Sequence, residues 1–142
     1  MSTPLPGHHL NSELELRALL DGAGLRPTAQ RLGLTGLLFG GAHRHVTAGE
    51  LHLEAAHRRL AVSVATVYNT LNQLVATGLL TQVQVEADCT YYDTNTEPHG
   101  HLFYTDTGEL VDTPLPTIPR PLQLEGVELL SVDLLFRVRR RR

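Results

Sequence analysis

Ser63-Val64-Ala65-Thr66-Val67-Tyr68-Asn69-Thr70-Leu71-Asn72-Gln73-Leu74-Val75, closed by Gly78 and followed by Leu80-Thr81-Gln82-Val83-Gln84-Val85, decides how this chain folds. Ser63 has the hydroxyl of an N-cap, and Val64, Val67, Leu71, Leu74 and Val75 recur at helical spacing. The other face carries Thr66, Asn69, Thr70 and Gln73, with Tyr68 and Asn72 at its flanks. That face is uncharged yet dense in hydrogen-bonding groups. After Gly78 the apolar period falls from 3.6 to 2. Leu80 to Val85 alternates, Glu86 to Cys89 can turn, and Thr90-Tyr91-Tyr92 returns, which predicts a hairpin.

Towards the N-terminus three more helices are predicted. Ser12 and Glu15 have capping-box spacing ahead of Leu14, Leu16, Leu19 and Leu20, and Asp21-Gly22-Ala23-Gly24 ends that helix. Thr28 caps a second, with Leu32, Leu34, Leu37, Leu38 and Phe39, and Gly40-Gly41 stops it. Thr47 and Glu50 form another capping box before Leu51, Leu53, Ala55 and Ala56. Three helices, a polar-faced fourth and a hairpin are the element order of a winged helix. In that fold the fourth helix enters the major groove and the hairpin is the wing.

Beyond Asp93 the character changes. Thr94 to Pro98 reads as a loop, and His101-Leu102-Phe103-Tyr104 and Leu110-Val111 as short strands about a Thr107-Gly108 turn. Pro114, Pro116, Pro119 and Pro121 exclude a regular helix there. Val127 to Val138 is apolar and β-branched enough for a strand. The expected fold is therefore α+β, with a winged-helix DNA-binding domain over residues 1–90. A small β-rich domain for metal binding and dimerisation follows over residues 91–142.

The 142 residues are 42% hydrophobic, enough for a packed core, with a net charge of −3. There is no lysine, and the last six residues hold five arginines, so phosphate contacts fall to Arg, hydroxyl and amide groups and backbone N–H. An arginine run of this kind is more often a solvated end than a DNA arm. No stretch has the length of a membrane span, and Met1 to Leu10 lacks the pattern of a signal peptide, so a cytoplasmic protein with no membrane partner is expected. The single cysteine, Cys89, excludes an intrachain disulfide and a multi-cysteine zinc site within one chain.

His99-Gly100-His101 carries the chemistry. In an extended segment residues i and i+2 share a face, so two imidazoles at this spacing can share an ion. Asp93 and Asp112 lie nearby in sequence, and His45 precedes the third helix. Three His and two Asp offer nitrogen and hard oxygen donors, suited to Fe²⁺, Mn²⁺ or Zn²⁺. On spacing alone a His-x-His pair is more often a solvated surface feature than a metal site, and Tyr68 is as readily core packing as a base contact.

The segments Gly24-Leu25-Arg26-Pro27-Thr28, His45-Val46-Thr47-Ala48, Ala65-Thr66-Val67-Tyr68-Asn69-Thr70-Leu71 and Tyr92-Asp93 through His99-Gly100-His101-Leu102 resemble the ferric uptake regulator superfamily. The resemblance runs from about residue 12 to 138. Asp93-Thr94-Asn95-Thr96, Glu109-Leu110-Val111-Asp112 and Val132-Asp133-Leu134-Leu135-Phe136-Arg137 look like its iron response regulator branch. The resemblance implies a homodimer on an inverted-repeat operator in double-stranded DNA, controlling iron homeostasis in response to a metal or haem. It implies a regulatory metal site of His45, Asp93, His99, His101 and Asp112, with Tyr68 against a thymine and Asn69 where many relatives carry arginine. The DNA-contacting set expected on this reading is Arg26, Thr28, Arg31, Ser63, Thr66, Tyr68, Asn69 and Asn72.

Some of the family pattern is missing. Its Cys-x-x-Cys zinc motif would fall at Tyr104 and Thr107, so no structural four-cysteine zinc is expected. Its dimerisation helix would fall in the proline-rich 114–121 segment. The His-His-His run of haem-binding members has Gly100 at its centre, leaving His99 or His101 as the candidate axial ligands. A peroxide sensor with Fe²⁺ at the same five positions is the nearest alternative. For a metallohydrolase the sequence offers no helical His-Glu-x-x-His and no evident general base, and the polar-faced helix and hairpin would be left unexplained; a haem-binding protein without DNA activity is a third alternative.

Overall fold

Four hydroxyl side chains start the four helices. Ser12, Thr28, Thr47 and Ser63 accept the backbone N–H of Glu15, Arg31, Glu50 and Thr66 at 3.1–3.2 Å. Each bond satisfies one donor that the first helical turn leaves without a partner. In the computed structural model, which describes residues 12–117, 124–130 and 132–142, the helices are α1 (Glu13–Gly22), α2 (Ala29–Phe39), α3 (Ala48–His57) and α4 (Val64–Ala76). At Thr47 the capping box is complete, because the Glu50 carboxylate also accepts the Thr47 N–H at 3.0 Å.

The chain divides into two compact units, Met1–Thr96 and Glu97–Arg142. The core of the first unites the helices: Leu20, Leu34, Leu38, Leu51, Val67, Leu71 and Leu74 are all fully buried, joined by Leu80 and Tyr92. The α4 faces differ from their predicted polarity at two places, and one is Val64, expected in the apolar row but 48% exposed in the first turn. Thr70 is buried rather than exposed, because it lies beside Val67 and Leu71 on the core side of the helix.

The predicted hairpin is present as β2 (Thr81–Glu86) and β3 (Cys89–Asp93), antiparallel from Thr81–Asp93 to Glu86–Cys89. A two-residue strand, β1 (His45–Val46), pairs with the other edge of β3 and gives the order β1-β3-β2. The segment entering β1 is held by Arg44. Its guanidinium donates to both carboxylate oxygens of Glu54 at 2.9 and 2.8 Å and to the Leu37 carbonyl at 3.1 Å.

The Arg44 hydrogen bonds hold the Glu54 carboxyl below its ordinary range. A depressed carboxyl stabilises the fold above its unfolded value, and the gain is lost as pH falls through the folded value. Glu54→Gln is expected to cost about 1 kcal/mol at neutral pH, discounted for partial exposure. Denaturant titrations should show that gap closing below about pH 4. A gap independent of pH would contradict the ion pair.

The boundary between units falls after Thr96 rather than at residue 90. The reason is the ladder: β3 continues through Asp93, which pairs with Thr81 on one side and His45 on the other. Thr94 is also tied to this unit, its hydroxyl accepting the Arg44 N–H at 2.9 Å.

The second unit is a three-stranded sheet of β4 (Gly100–Tyr104), β5 (Leu110–Thr113) and β6 (Leu135–Val138), in the order β5-β4-β6. β5 runs antiparallel to β4, and β6 parallel. Only Leu135–Val138 of the strand expected over 127–138 forms. Val127, Leu129 and Leu130 are 56–86% exposed, so burial, which gives an apolar strand its stability, is absent there. Residues 114–117 are non-helical, as their prolines require; Pro119 and Pro121 lie outside the described residues. The root of the arginine run is docked: Arg140 bonds Glu109 at 2.8 Å and lies 4.5 Å over the Tyr104 ring. No helix among the described residues is long and apolar enough to cross a membrane.

Candidate functional site

Two sets of side chains carry chemistry. The first lies on α4. Tyr68 is 47% exposed and Val64 48%, with Asn69 and Asn72 exposed beside them. An aromatic ring, an apolar side chain and two amides on one solvent-facing helix surface suit contact with base edges, since Asn pairs with adenine and apolar groups meet the thymine methyl. The other expected contact residues are placed differently. Ser63 caps α4 and bonds the Thr66 hydroxyl at 2.9 Å, so both serve the helix start. Thr28 caps α2. Arg26 is exposed between α1 and α2. Arg31 is half-buried, and its guanidinium holds Gln73 of α4 at 2.8 Å and the Arg26 carbonyl at 2.9 Å. It therefore ties α2 to α4.

The second set is ligand-like and is assembled within each unit. In the first unit the β1–β3 register sets His45 opposite Asp93, and His45 Nε2 lies 3.0 Å from Asp93 Oδ2. Asp93 is fully buried, and its other oxygen accepts the Asn95 N–H at 2.9 Å. In the second unit His101 of β4 lies opposite Asp112 of β5. Directly opposed residues share a face of the sheet. Asp112 Oδ1 is 3.0 Å from His99 Nε2 and 3.4 Å from His101 Nε2, and the two Nε2 atoms are 3.0 Å apart. Two imidazole nitrogens at that separation need a shared proton or a shared cation between them. The His99 Nδ1 is bonded to the Glu97 carbonyl, which fixes the ring and leaves Nε2 for the ion. Neither the Asn95 N–H nor the Glu97 carbonyl was legible in the sequence, because backbone groups carry no residue signature.

Gly100, between the two histidines, sits where a side chain would be crowded. A Cβ there would lie 3.1 Å from Thr113 Cγ2 and 3.7 Å from the Leu134 carbonyl. Burial and the neighbouring Glu86 and Asp88 push the Cys89 thiol above its usual value, which disfavours the reactive thiolate.

Residues 22–134 match the family model described as the ferric uptake regulator family. The peroxide-responsive repressor PerR of Staphylococcus epidermidis is 32% identical over 114 residues, 80% of this chain and 71% of that protein. The chain belongs to the ferric uptake regulator family. The ferric uptake regulator of Vibrio cholerae, 25% identical, superposes with a TM-score of 0.68 over 87% of this chain and 98% of that one. That of Pseudomonas aeruginosa, solved with manganese, is 24% identical and has a TM-score of 0.67 over 89% and 98%.

Family membership makes this chain a metal-responsive transcriptional regulator and not an enzyme. The fold is that of the family, an N-terminal winged-helix DNA-binding domain followed by a dimerisation domain. Against the family pattern, the positions of the Cys-x-x-Cys motif hold Tyr104 and Thr107. Here Tyr104 lies under Arg140, and the Thr105 N–H bonds the Val138 carbonyl at 2.8 Å. Those contacts fasten the β4–β5 turn to the end of β6.

Proposed function

We propose that this regulator is a homodimeric repressor of inverted-repeat operators, gated by one divalent ion held by His45, Asp93, His99, His101 and Asp112. The observation that carries the reading is the convergence of His99, His101 and Asp112 within the second unit, matched by the His45–Asp93 pair in the first. The donors are nitrogen and oxygen only, a set that suits Fe²⁺ or Mn²⁺ and also accepts Zn²⁺. The ligands come from both halves of the chain, so an ion that holds them together fixes the angle between the halves. That angle sets the spacing of the two recognition helices on the operator. Tyr68, Asn69 and Asn72 read base edges, and Arg26 contacts phosphate. Operator binding that depends on the ion tests this reading.

A second reading is favoured by the relatives. The Staphylococcus epidermidis protein is a peroxide-responsive repressor, and the five-ligand set of this chain fits Fe²⁺. On this reading His45 or His99 would be the residue oxidised: H2O2 would put one oxygen on an imidazole ring carbon in place of its hydrogen, the other oxygen leaving as water, and the operator would be released. Fe²⁺ held by the five residues would supply the redox chemistry that breaks the O–O bond. Mass spectrometry after Fe²⁺ and peroxide should find that oxygen on the peptide of His45 or His99. Retention of DNA binding with no mass gain would leave the simple metal corepressor.

The iron response branch rests on the sequence of Asp93-Thr94-Asn95-Thr96 and of the closing strand. Its haem ligation gains no support. His99 and His101 both turn Nε2 to the hard Asp112 carboxylate, and a side chain at the middle position would crowd Thr113.

A further inference from the structure

Three helices of the first unit end in the same way, and one of them breaks the rule the others keep. After α1, the Leu25 N–H bonds the Leu20 carbonyl and the Gly24 N–H bonds the Asp21 carbonyl. After α4, the Leu79 N–H bonds Leu74 and the Gly78 N–H bonds Val75. After α3, the Leu60 N–H bonds Ala55 at 2.9 Å and the Arg59 N–H bonds Ala56 at 3.1 Å. All three are Schellman motifs, and each sets a leucine (Leu25, Leu79, Leu60) against the core. The motif needs a left-handed residue. Gly24 and Gly78 supply it at φ 74° and 78°, but the third position is Arg59 at φ 57°. Among the described residues Arg59 is the sole non-glycine with positive φ.

An L-residue with a long side chain is disfavoured in this conformation, and glycine is the ordinary solution. Arg59 gains nothing inside the fold to offset that. It is exposed, and among the described residues no hydrogen bond or ion pair reaches its guanidinium. Elsewhere in this unit Arg17 is bonded to Glu13, Arg44 to Glu54, and Arg31 to Gln73. Residues 1–96 hold six Arg against eight Asp and Glu, and among the described residues Arg59 is one of three, with Arg26 and Arg58, whose guanidinium no hydrogen bond or ion pair engages. Arg59 lies four residues before Ser63, the cap of the recognition helix, and the half-buried Leu60 between them packs against the core.

We propose that Arg59 is a DNA-backbone contact: its guanidinium binds a phosphate beside the recognition helix, and the left-handed backbone is the strain that holds it there. This rests on the DNA-binding reading of α4. The partner is duplex DNA phosphate, read without regard to base.

Three proteins test it: the full chain, Arg59→Gly and Arg59→Lys. Arg59→Gly relieves the strain and removes the charge, so its melting temperature should rise by about 4 °C. Its operator affinity should fall at the same time, by about tenfold at low salt. The slope of log affinity against log salt should shrink by about 1.8, for two lost phosphate contacts per dimer. Arg59→Lys keeps the charge and the strain, and should keep the slope and the melting temperature. A higher melting temperature with an unchanged slope in Arg59→Gly would overturn the proposal and leave a plain helix cap. A fall in both affinity and melting temperature would also overturn it, because a damaged fold would explain the loss. If the full chain bound no operator in any metal state, the α4 reading itself would fail.

Discussion

Replacing His99 and His101 together by alanine is expected to remove metal-dependent control while leaving the fold. Their Nε2 atoms are 3.0 Å apart and both approach Asp112, so the double variant leaves one carboxylate where three donors converged. Groups that merely orient a ligand are worth about 10–100-fold in metal affinity. Losing two ligands should therefore cost about 100-fold or more in a calorimetric Mn²⁺ titration. The sheet should survive, because its register runs through backbone pairs from Gly100 to Tyr104 and the apolar seat is Phe103 and Leu110. Far-UV circular dichroism should accordingly match the parent without metal. Unchanged Mn²⁺ affinity would remove His99 and His101 from the site.

The second large effect concerns the seat of the recognition helix. Leu71 is fully buried on the core face of α4, in one cluster with Leu20, Leu34, Leu38, Leu51 and Leu74. Leu71→Ala removes apolar contact and leaves a cavity that helices capped at both ends close only in part. The expected loss is about 3 kcal/mol, or some 15 °C in the melting temperature of a unit this size. At low temperature the variant should still bind the operator, because Tyr68, Asn69 and Asn72 lie on the opposite surface. A loss below about 1 kcal/mol would mean that α4 is not seated by this row.

Features written in local chemistry were legible in the sequence. All four helix starts followed from a hydroxyl, at Ser12 and Thr47 together with a glutamate three positions on, and the hairpin from the change of period after Gly78. The near approach of His99 to His101 followed from their i, i+2 spacing. Pairings across the chain were not legible. β1 is two residues long, too short for a periodic signal, yet its register with β3 brings His45 to Asp93. That pair was implied by family resemblance and by nothing in the spacing. Apolar content alone over-extended the last strand, since Leu130 is 86% exposed. Arg59 carried a readable sign: an arginine stands at a helix end where the neighbouring helices have glycine.

Each unit contributes its own set of side chains. The first unit sets an aromatic and amide surface on a capped, well-seated helix, and holds His45 against a buried Asp93. The second presents two histidines and a carboxylate from adjacent strands. Control of DNA by one ion is the proposal that joins the two sets.

The most direct test of that claim is fluorescence anisotropy of the full chain on an AT-rich inverted-repeat duplex, titrated with Mn²⁺ and then with chelator. The account predicts tight binding with Mn²⁺ that the chelator reverses. Equal binding in both states would contradict it, because the ion would then have no differential hold on the DNA-binding form.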